Sequence, residues 1–182
     1  TQPSLSDLLR TYAPGHTVME LCPQTEEIYD RFRRVTFRQA GVLEDDALTE
    51  RLSNHRQVLC VVNSRRAAQQ IFDRLPKEGC FHLSTLMIPT QRQAILEEIR
   101  QRLKDGEPCS VVSTSLIEAG VDLDFPTVYR ELAGLDSILQ AAGRCNREGK
   151  RAADESIVTI FERTELPPLL FRTAVGAARR AL

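Results

Sequence analysis

The sequence predicts an α/β domain with a mostly parallel sheet. Three observations carry this. Short continuous apolar runs, such as residues 58–62 (VLCVV), read as strands buried on both faces. Amphipathic stripes at helical spacing alternate with them, the order expected of βαβ crossovers. The 182 residues, 42% hydrophobic and 27% charged, suffice for one ordinary domain with its own core.

Residues 4–10 have a cap-like start for a short helix, which Pro14 and Gly15 break. Between Ile28 and Arg38, Phe32, Val35 and Phe37 separated by charges suggest an exposed strand. Residues 43–52 read as an amphipathic helix. Residues 58–62 are the first buried strand, and Asn63-Ser64 after it reads as a turn and helix cap. Ala67, Ala68, Ile71, Phe72 and Leu75 form a helical stripe that residues 76–79 end. Residues 80–83 are a second strand. Pro89 suits a first helical turn, Ile95, Leu96, Ile99 and Leu103 continue that helix, and Asp105-Gly106 stops it. Residues 110–113, 127–129 and 156–161 are three further strands, and residues 169–182 look helical and basic.

Net charge is −1, from 24 basic and 25 acidic side chains, so nucleic-acid contact has to be local rather than a coating of bulk charge. The five cysteines include no CxxC pair and sit largely in apolar runs, as buried hydrophobes in a reducing, cytoplasmic setting do. The three histidines, His16, His55 and His82, are too scattered for a metal site, and none is expected. His82 reads as a strand histidine with a satisfied hydrogen bond. No window approaches a membrane span, and no signal-peptide core is present. The opening Thr1-Gln2-Pro3 lacks a methionine and reads as part of a longer chain.

In parallel sheets, ligands bind beyond the carboxyl ends of the strands. Asn63, Ser64 and Arg65 follow the first buried strand, Ser84 and Thr85 the second, and Thr114, then Gly120 and Asp122, the third. Residues 140–147 (QAAGRCNR) follow the fourth. Hydroxyls, amides and helix N-termini gathered at one edge can hold a chain of phosphates without strong net charge. Arg144 and Arg147, three apart after Gly143 and Gln140, lie on one side of the backbone at near-helical spacing. Two guanidinium forks aimed alike suit an anion with several oxygens. Taken singly, each residue also has a plainer reading: capping for the hydroxyls, a positive-φ turn for Gly120, a local turn or cap for Asp122, a solvated surface for the arginines.

Residues 111–122 (VVSTSLIEAGVD) with residues 140–147 resemble motifs V and VI of superfamily 2 helicases. Residues 61–67 (VVNSRRA) resemble motif IV, and residues 81–92 (FHLSTLMIPTQR) the segment after it. The wording is most similar to the CRISPR-associated helicase-nuclease family of type I interference systems, through residues 118–126, residues 129–137 and the arginine motif. The resemblance is strong over about residues 55–150. Ser64 and Ser115 stand where threonine and glutamine are expected; the first keeps a hydroxyl, the second leaves one strand contact open. There is no Gly-x-x-x-x-Gly-Lys-Ser/Thr loop, no Asp-Glu-x-His motif, and no nuclease His-Asp pair.

The resemblance implies a RecA-like three-layer α/β/α fold: the second motor lobe of an ATP-dependent helicase. It divides the chain into a connector from a missing first lobe (residues 1–27), the RecA-like domain (28–165) and a helical extension (166–182). By the same resemblance, Arg147 would be the arginine finger, Arg144 a second phosphate contact, and Gln140 a partner of the γ-phosphate or attacking water. Gly120, Asp122 and Gly143 would line the nucleotide, with Asp122 near the ribose. Asn63, Ser64, Arg65, Ser84, Thr85 and Thr114 would contact the phosphates of single-stranded DNA, without base readout. ATP and Mg²⁺ would be held mainly by the first lobe, so that the lobe alone binds neither and is inactive. The partners implied are single-stranded DNA, the first lobe, and a CRISPR surveillance complex. An RNA helicase lobe and a non-catalytic RecA-like docking module are the alternatives, and the intact Gln140, Arg144 and Arg147 set weighs against the second.

Overall fold

A computed structural model of the chain describes residues 24–118, 121–165 and 168–181. The helix expected at residues 4–10, its break at Pro14 and Gly15, and Gly120 lie outside these. Helix α1, Thr25–Phe32, belongs to a unit of its own, distinct from the sheet domain that runs from Arg34 to Arg180. This corrects the strand expected from Ile28 onward: Glu27 in the first turn and Arg31 in the last complement a helix dipole, and the alternation that suggested a strand begins at Thr36.

The sheet domain places β1 (Thr36–Leu43), α2 (Asp45–Ser53), β2 (Gln57–Val61), α3 (Arg65–Arg74), β3 (Cys80–Leu83) and α4 (Pro89–Asp105) in sequence. Then come β4 (Cys109–Ser113), a 3-10 turn (Ser115–Glu118), β5 (Thr127–Glu131), α5 (Leu135–Ala142), β6 (Ile157–Arg163), a second 3-10 turn (Leu169–Phe171) and α6 (Arg172–Ala181). The six strands form one sheet in the order β1-β6-β5-β2-β4-β3, and every pairing is parallel.

Strand alternation sorts the core into two faces. Leu59 and Val61 of β2, Val111 of β4 and Val128 of β5 point to one side, where Ile99 of α4 and Ala141 of α5 cover them. Val58 and Cys60 of β2, Val112 of β4 and Tyr129 of β5 point to the other, against Leu48 and Leu52 of α2 and Ala67, Ala68 and Ile71 of α3. Helices therefore lie on both faces, which is why β2 and β5 are buried along their whole length. Each buried Leu, Ile or Val side chain contributes about 1.5–3 kcal/mol. A smaller cluster joins Ile138, Ile160, Val175 and Ala178, seating α6. Edge strand β1 is mostly exposed, as its Arg38 and Gln39 require.

Local signals set the boundaries. Ser64 Oγ accepts the Ala67 N–H at 3.1 Å and caps α3. Gly106 ends α4 at φ 68°, a left-handed conformation natural to glycine, and the next N–H, of Glu107, reaches Arg102 O at 2.9 Å. Gly79 is required for a second reason: besides φ +67°, a Cβ there would lie 2.4 Å from Pro108 O.

Candidate functional site

The carboxyl ends of β5, β2, β4 and β3 form one edge, with Arg130 beside Val61, Val61 beside Ser113, and Ser113 beside Leu83. Asn63, Ser64 and Arg65, Thr114, and Ser84 and Thr85 follow these ends, so the structure brings the six hydroxyl, amide and cationic residues to the same edge. They differ in access. Arg65 and Thr85 are exposed, Asn63 and Ser64 half-buried, Ser84 and Thr114 buried. Ser84 Oγ takes the Leu86 N–H at 3.3 Å, shaping the turn out of β3. Ser113 Oγ donates to Leu83 O, tying β4 to β3 beneath that turn.

Asn63 is committed within the fold. Its N–H donates to Glu131 Oε2 at 2.7 Å, its Nδ2 to Leu132 O at 2.9 Å, and its Oδ1 accepts Arg130 Nη1 at 2.8 Å. Arg130 and Glu131 are 2% and 6% exposed, at the end of a strand otherwise filled by apolar neighbours. Burial pushes the Glu131 carboxyl up from its ordinary range, while the Asn63 N–H and the nearby Arg163 and Arg130 hold it down. Sequence reasoning missed this pair. Its signal was an Arg-Glu step inside a run that the sheet buries on both faces.

The arginines lie elsewhere. Between Glu131 and Gly143 the chain returns along α5, so the Gln140 to Arg147 segment ends at the opposite, amino edge of the sheet. Phe125, which precedes β5, makes a parallel bridge with Cys145, and Phe125 N–H donates to Arg144 O at 2.9 Å. Arg34, which precedes β1, donates from Nη1 to Arg147 O at 2.7 Å. The shared carboxyl edge expected for all candidate residues is thus corrected: α5 separates two groups. The near-helical arginine spacing is corrected as well, because α5 stops at Ala142 and both arginines sit on the turn beyond it.

That turn is tightly built. Asn146, 1% exposed and at φ 48°, donates from Nδ2 to Arg34 O at 2.8 Å and Arg151 O at 2.7 Å, and accepts the Arg151 N–H at 3.0 Å. Asp124 accepts the Arg147 N–H at 2.7 Å and Arg151 Nη1 at 2.9 Å. Arg144 is buried and donates from Nε to Ile117 O at 3.0 Å, beneath the segment that leaves β4. Burial and the neighbouring Arg147 lower its pKa, and Asp122 opposes them; a guanidinium stays charged throughout. Arg147 is exposed, and its Nε meets Asp122 Oδ1 at 2.6 Å. Gln140 and Gly143 are exposed on the same stretch. An open groove of about 510 Å³ begins at Asp122, the partner of Arg147, and is lined also by Arg100, Lys104, Asp124, Lys150 and Arg151. The turn therefore holds one guanidinium buried and fixed, that of Arg144, and one exposed and able to move, that of Arg147.

Among the described residues no group of three or more His, Cys, Asp or Glu could hold a metal ion, and no helix is long and apolar enough to cross a membrane. Four of the cysteines, Cys60, Cys80, Cys109 and Cys145, are free thiols. His82 departs from expectation: its Nε2 is buried with no hydrogen-bond partner, the ring lying 5.6 Å from that of Phe72.

Residues 54–150 match the family model described as CRISPR-associated nuclease/helicase Cas3, C-terminal. A CRISPR-associated nuclease/helicase Cas3 of Haloferax volcanii is 44% identical over 78 residues, which are 41% of this chain and 8% of that protein. Among solved structures, T. fusca Cas3 with ADP is similar in fold, with a TM-score of 0.61 and 18% identity over 79% of this chain and 20% of that one. The DUF1998 helicase MrfA bound to DNA has a TM-score of 0.54 and 18% identity, over 70% of this chain and 20% of that one. The chain spans a fifth or less of the length of each.

Proposed function

Because the chain belongs to the family of Cas3 nuclease/helicase C-terminal domains, we propose that it is the second motor lobe of an ATP-dependent helicase or translocase acting on single-stranded DNA in CRISPR interference. The observation that carries this reading is the division of labour across α5: hydroxyls and amides at the carboxyl edge, a braced arginine turn at the amino edge.

Arg147 acts as the arginine finger. It leaves Asp122 and reaches the γ-phosphoryl group as charge spreads over its oxygens; in related phosphoryl transfer such a finger supplies roughly 10³–10⁵ in rate. Arg144, fixed on Ile117 O, keeps a guanidinium near the phosphates at little reorganisation cost. Gln140, exposed on α5, hydrogen-bonds the γ-phosphate or orients the attacking water. Asp122, Gly120 and Gly143 line the nucleotide side. The described residues of this chain offer no group to hold Mg²⁺; a first lobe would hold it, and it would supply neutralisation of phosphate charge.

On the other edge, Ser64, Arg65, Ser84, Thr85 and Thr114 contact successive phosphates of the strand. Asn63 serves there mainly by holding the turn that presents Ser64. Hydroxyls and backbone amides of this kind read no base edge, so binding ignores sequence. Closing and opening of the cleft between the lobes moves the strand stepwise. A CRISPR surveillance complex in the cytoplasm delivers the single strand.

The test is ATP hydrolysis by the full-length protein with and without single-stranded DNA or RNA of mixed sequence. Stimulation by DNA above RNA is the expected result. Stimulation by RNA alone makes it an RNA helicase lobe, and no hydrolysis with either makes it a docking module.

A further inference from the structure

The Arg130 side chain is the least expected feature of the core. It is 2% exposed, on a strand flanked at its own register by Val61 on one side and Ile160 on the other. A cation at this position is costly to desolvate, and it lies close to the buried Glu131 carboxylate, so that removing it alone leaves that carboxylate with one fewer compensating charge. Arg130 spends Nη1 on three oxygens: Asn63 Oδ1 at 2.8 Å, Glu131 O at 2.8 Å and Val61 O at 3.4 Å.

Those partners join two elements. Asn63 opens the turn that carries Ser64 and Arg65. Its Nδ2 grips Leu132 O, and Leu132 is itself pinned by its N–H to Phe161 O at 2.7 Å. Two residues later Gly134 O accepts the Ile138 N–H at 3.0 Å and starts α5. Eight helical residues, about 12 Å, then lead to Gly143 and the arginine turn. A continuous path of hydrogen bonds and a short stretch of chain thus connects the Asn63 turn to the start of α5.

We propose that Arg130 is a positioning residue that couples the strand-contacting turn at Asn63, Ser64 and Arg65 to α5, so that a nucleic-acid backbone bound at the carboxyl edge sets the placement of Gln140 and the arginine pair. The proposal rests on the motor-lobe reading above. Arg130 touches neither strand nor nucleotide; it acts through Asn63 and Leu132.

The experiment uses the full-length protein, with ATP hydrolysis measured while a mixed-sequence single-stranded DNA oligonucleotide is titrated. Arg130→Met and Arg130→Lys are compared with the parent, each checked by thermal melting. The expected result for Arg130→Met is a roughly tenfold fall in the ratio of DNA-stimulated to DNA-free rate, the scale of a lost charge-assisted hydrogen bond that orients a contact. Arg130→Lys restores part of the ratio because it keeps a buried donor and charge. A merely structural defect lowers both rates together and leaves the ratio unchanged. A folded Arg130→Met with the parental ratio and half-maximal DNA concentration overturns the proposal. If Arg130→Met does not fold, Arg130→Lys decides on the same two readouts, and parental values overturn it. If the parent itself shows no stimulation, it is the motor-lobe reading that fails, and this proposal with it.

Discussion

Asp122 Oδ1 lies 2.6 Å from Arg147 Nε, and the two side chains are 77% and 42% exposed. The pair joins the segment that precedes β5 to the turn that follows α5. An exposed pair of this kind is worth about 0–1 kcal/mol, so a phosphate dianion can take Arg147 from it at little cost. The backbone of Arg147 moves far less freely, because Asp124 and Arg34 hold its N–H and carbonyl.

Asp122→Asn tests the weakness of that pair. Its effect on the thermal midpoint of the chain is expected to stay below about 3 °C, while Asp124→Asn, which loosens both Arg147 N–H and Arg151, lowers it further. Equal and large losses for both variants mean that the exposed pair is a structural brace.

Ser64→Ala removes the acceptor that caps α3. The expected cost is about 1 kcal/mol, or about 2–4 °C in melting temperature, together with weaker binding of single-stranded DNA by the full-length protein. Ser64→Thr keeps the hydroxyl and restores both. Restored melting without restored binding limits Ser64 to the cap.

Protonation of His82 provides a pH signature. Burial lowers its pKa below the ordinary 6.5, with Asp73 acting weakly against that, and burial lowers that of His55 as well. The unfolded chain then binds more protons than the folded one below that value. Stability is fully present above about pH 6.5 and declines as pH falls toward the folded-state pKa. His82→Leu is expected to flatten the fall in melting temperature between about pH 7 and 5; an unchanged slope assigns it to other groups.

The parts of this fold legible in the sequence were those whose burial is two-sided or whose stops are chemically special. Residues 58–62 could be little but a buried strand, and Gly106 little but a helix end. Helix α5 was not legible: it is only eight residues long, exposed Leu135 and Leu139 blur the polar side marked by Asp136 and Gln140, and the arginine spacing drew attention beyond its end. Without α5, nothing in the chain says that Arg144 and Arg147 sit at the amino edge while Ser64 and Thr114 sit at the other. The candidate residues themselves were found by motif. Asp124, Arg130, Glu131 and Asn146 lie within the same motifs, but their supporting roles, like that of Arg151, were not legible, because they depend on partners far away in sequence, such as Arg34 for Asn146.

The chain of residues 1–182 by itself is expected to hydrolyse no ATP. Its sequence contains no phosphate-cradling Gly-x-x-x-x-Gly-Lys-Ser/Thr loop, and an arginine finger acts only on a nucleotide held for it. A phosphate-release assay on the purified chain with Mg²⁺, ATP and single-stranded DNA checks this; hydrolysis above background means that a complete site exists within it.

The most direct measurement is the comparison of Arg147→Ala with the parent in the full-length protein, reading ATP binding and DNA-stimulated hydrolysis separately. The expected result is a loss of hydrolysis of roughly 10³-fold or more with ATP affinity nearly unchanged. Parental turnover in a folded Arg147→Ala protein contradicts it.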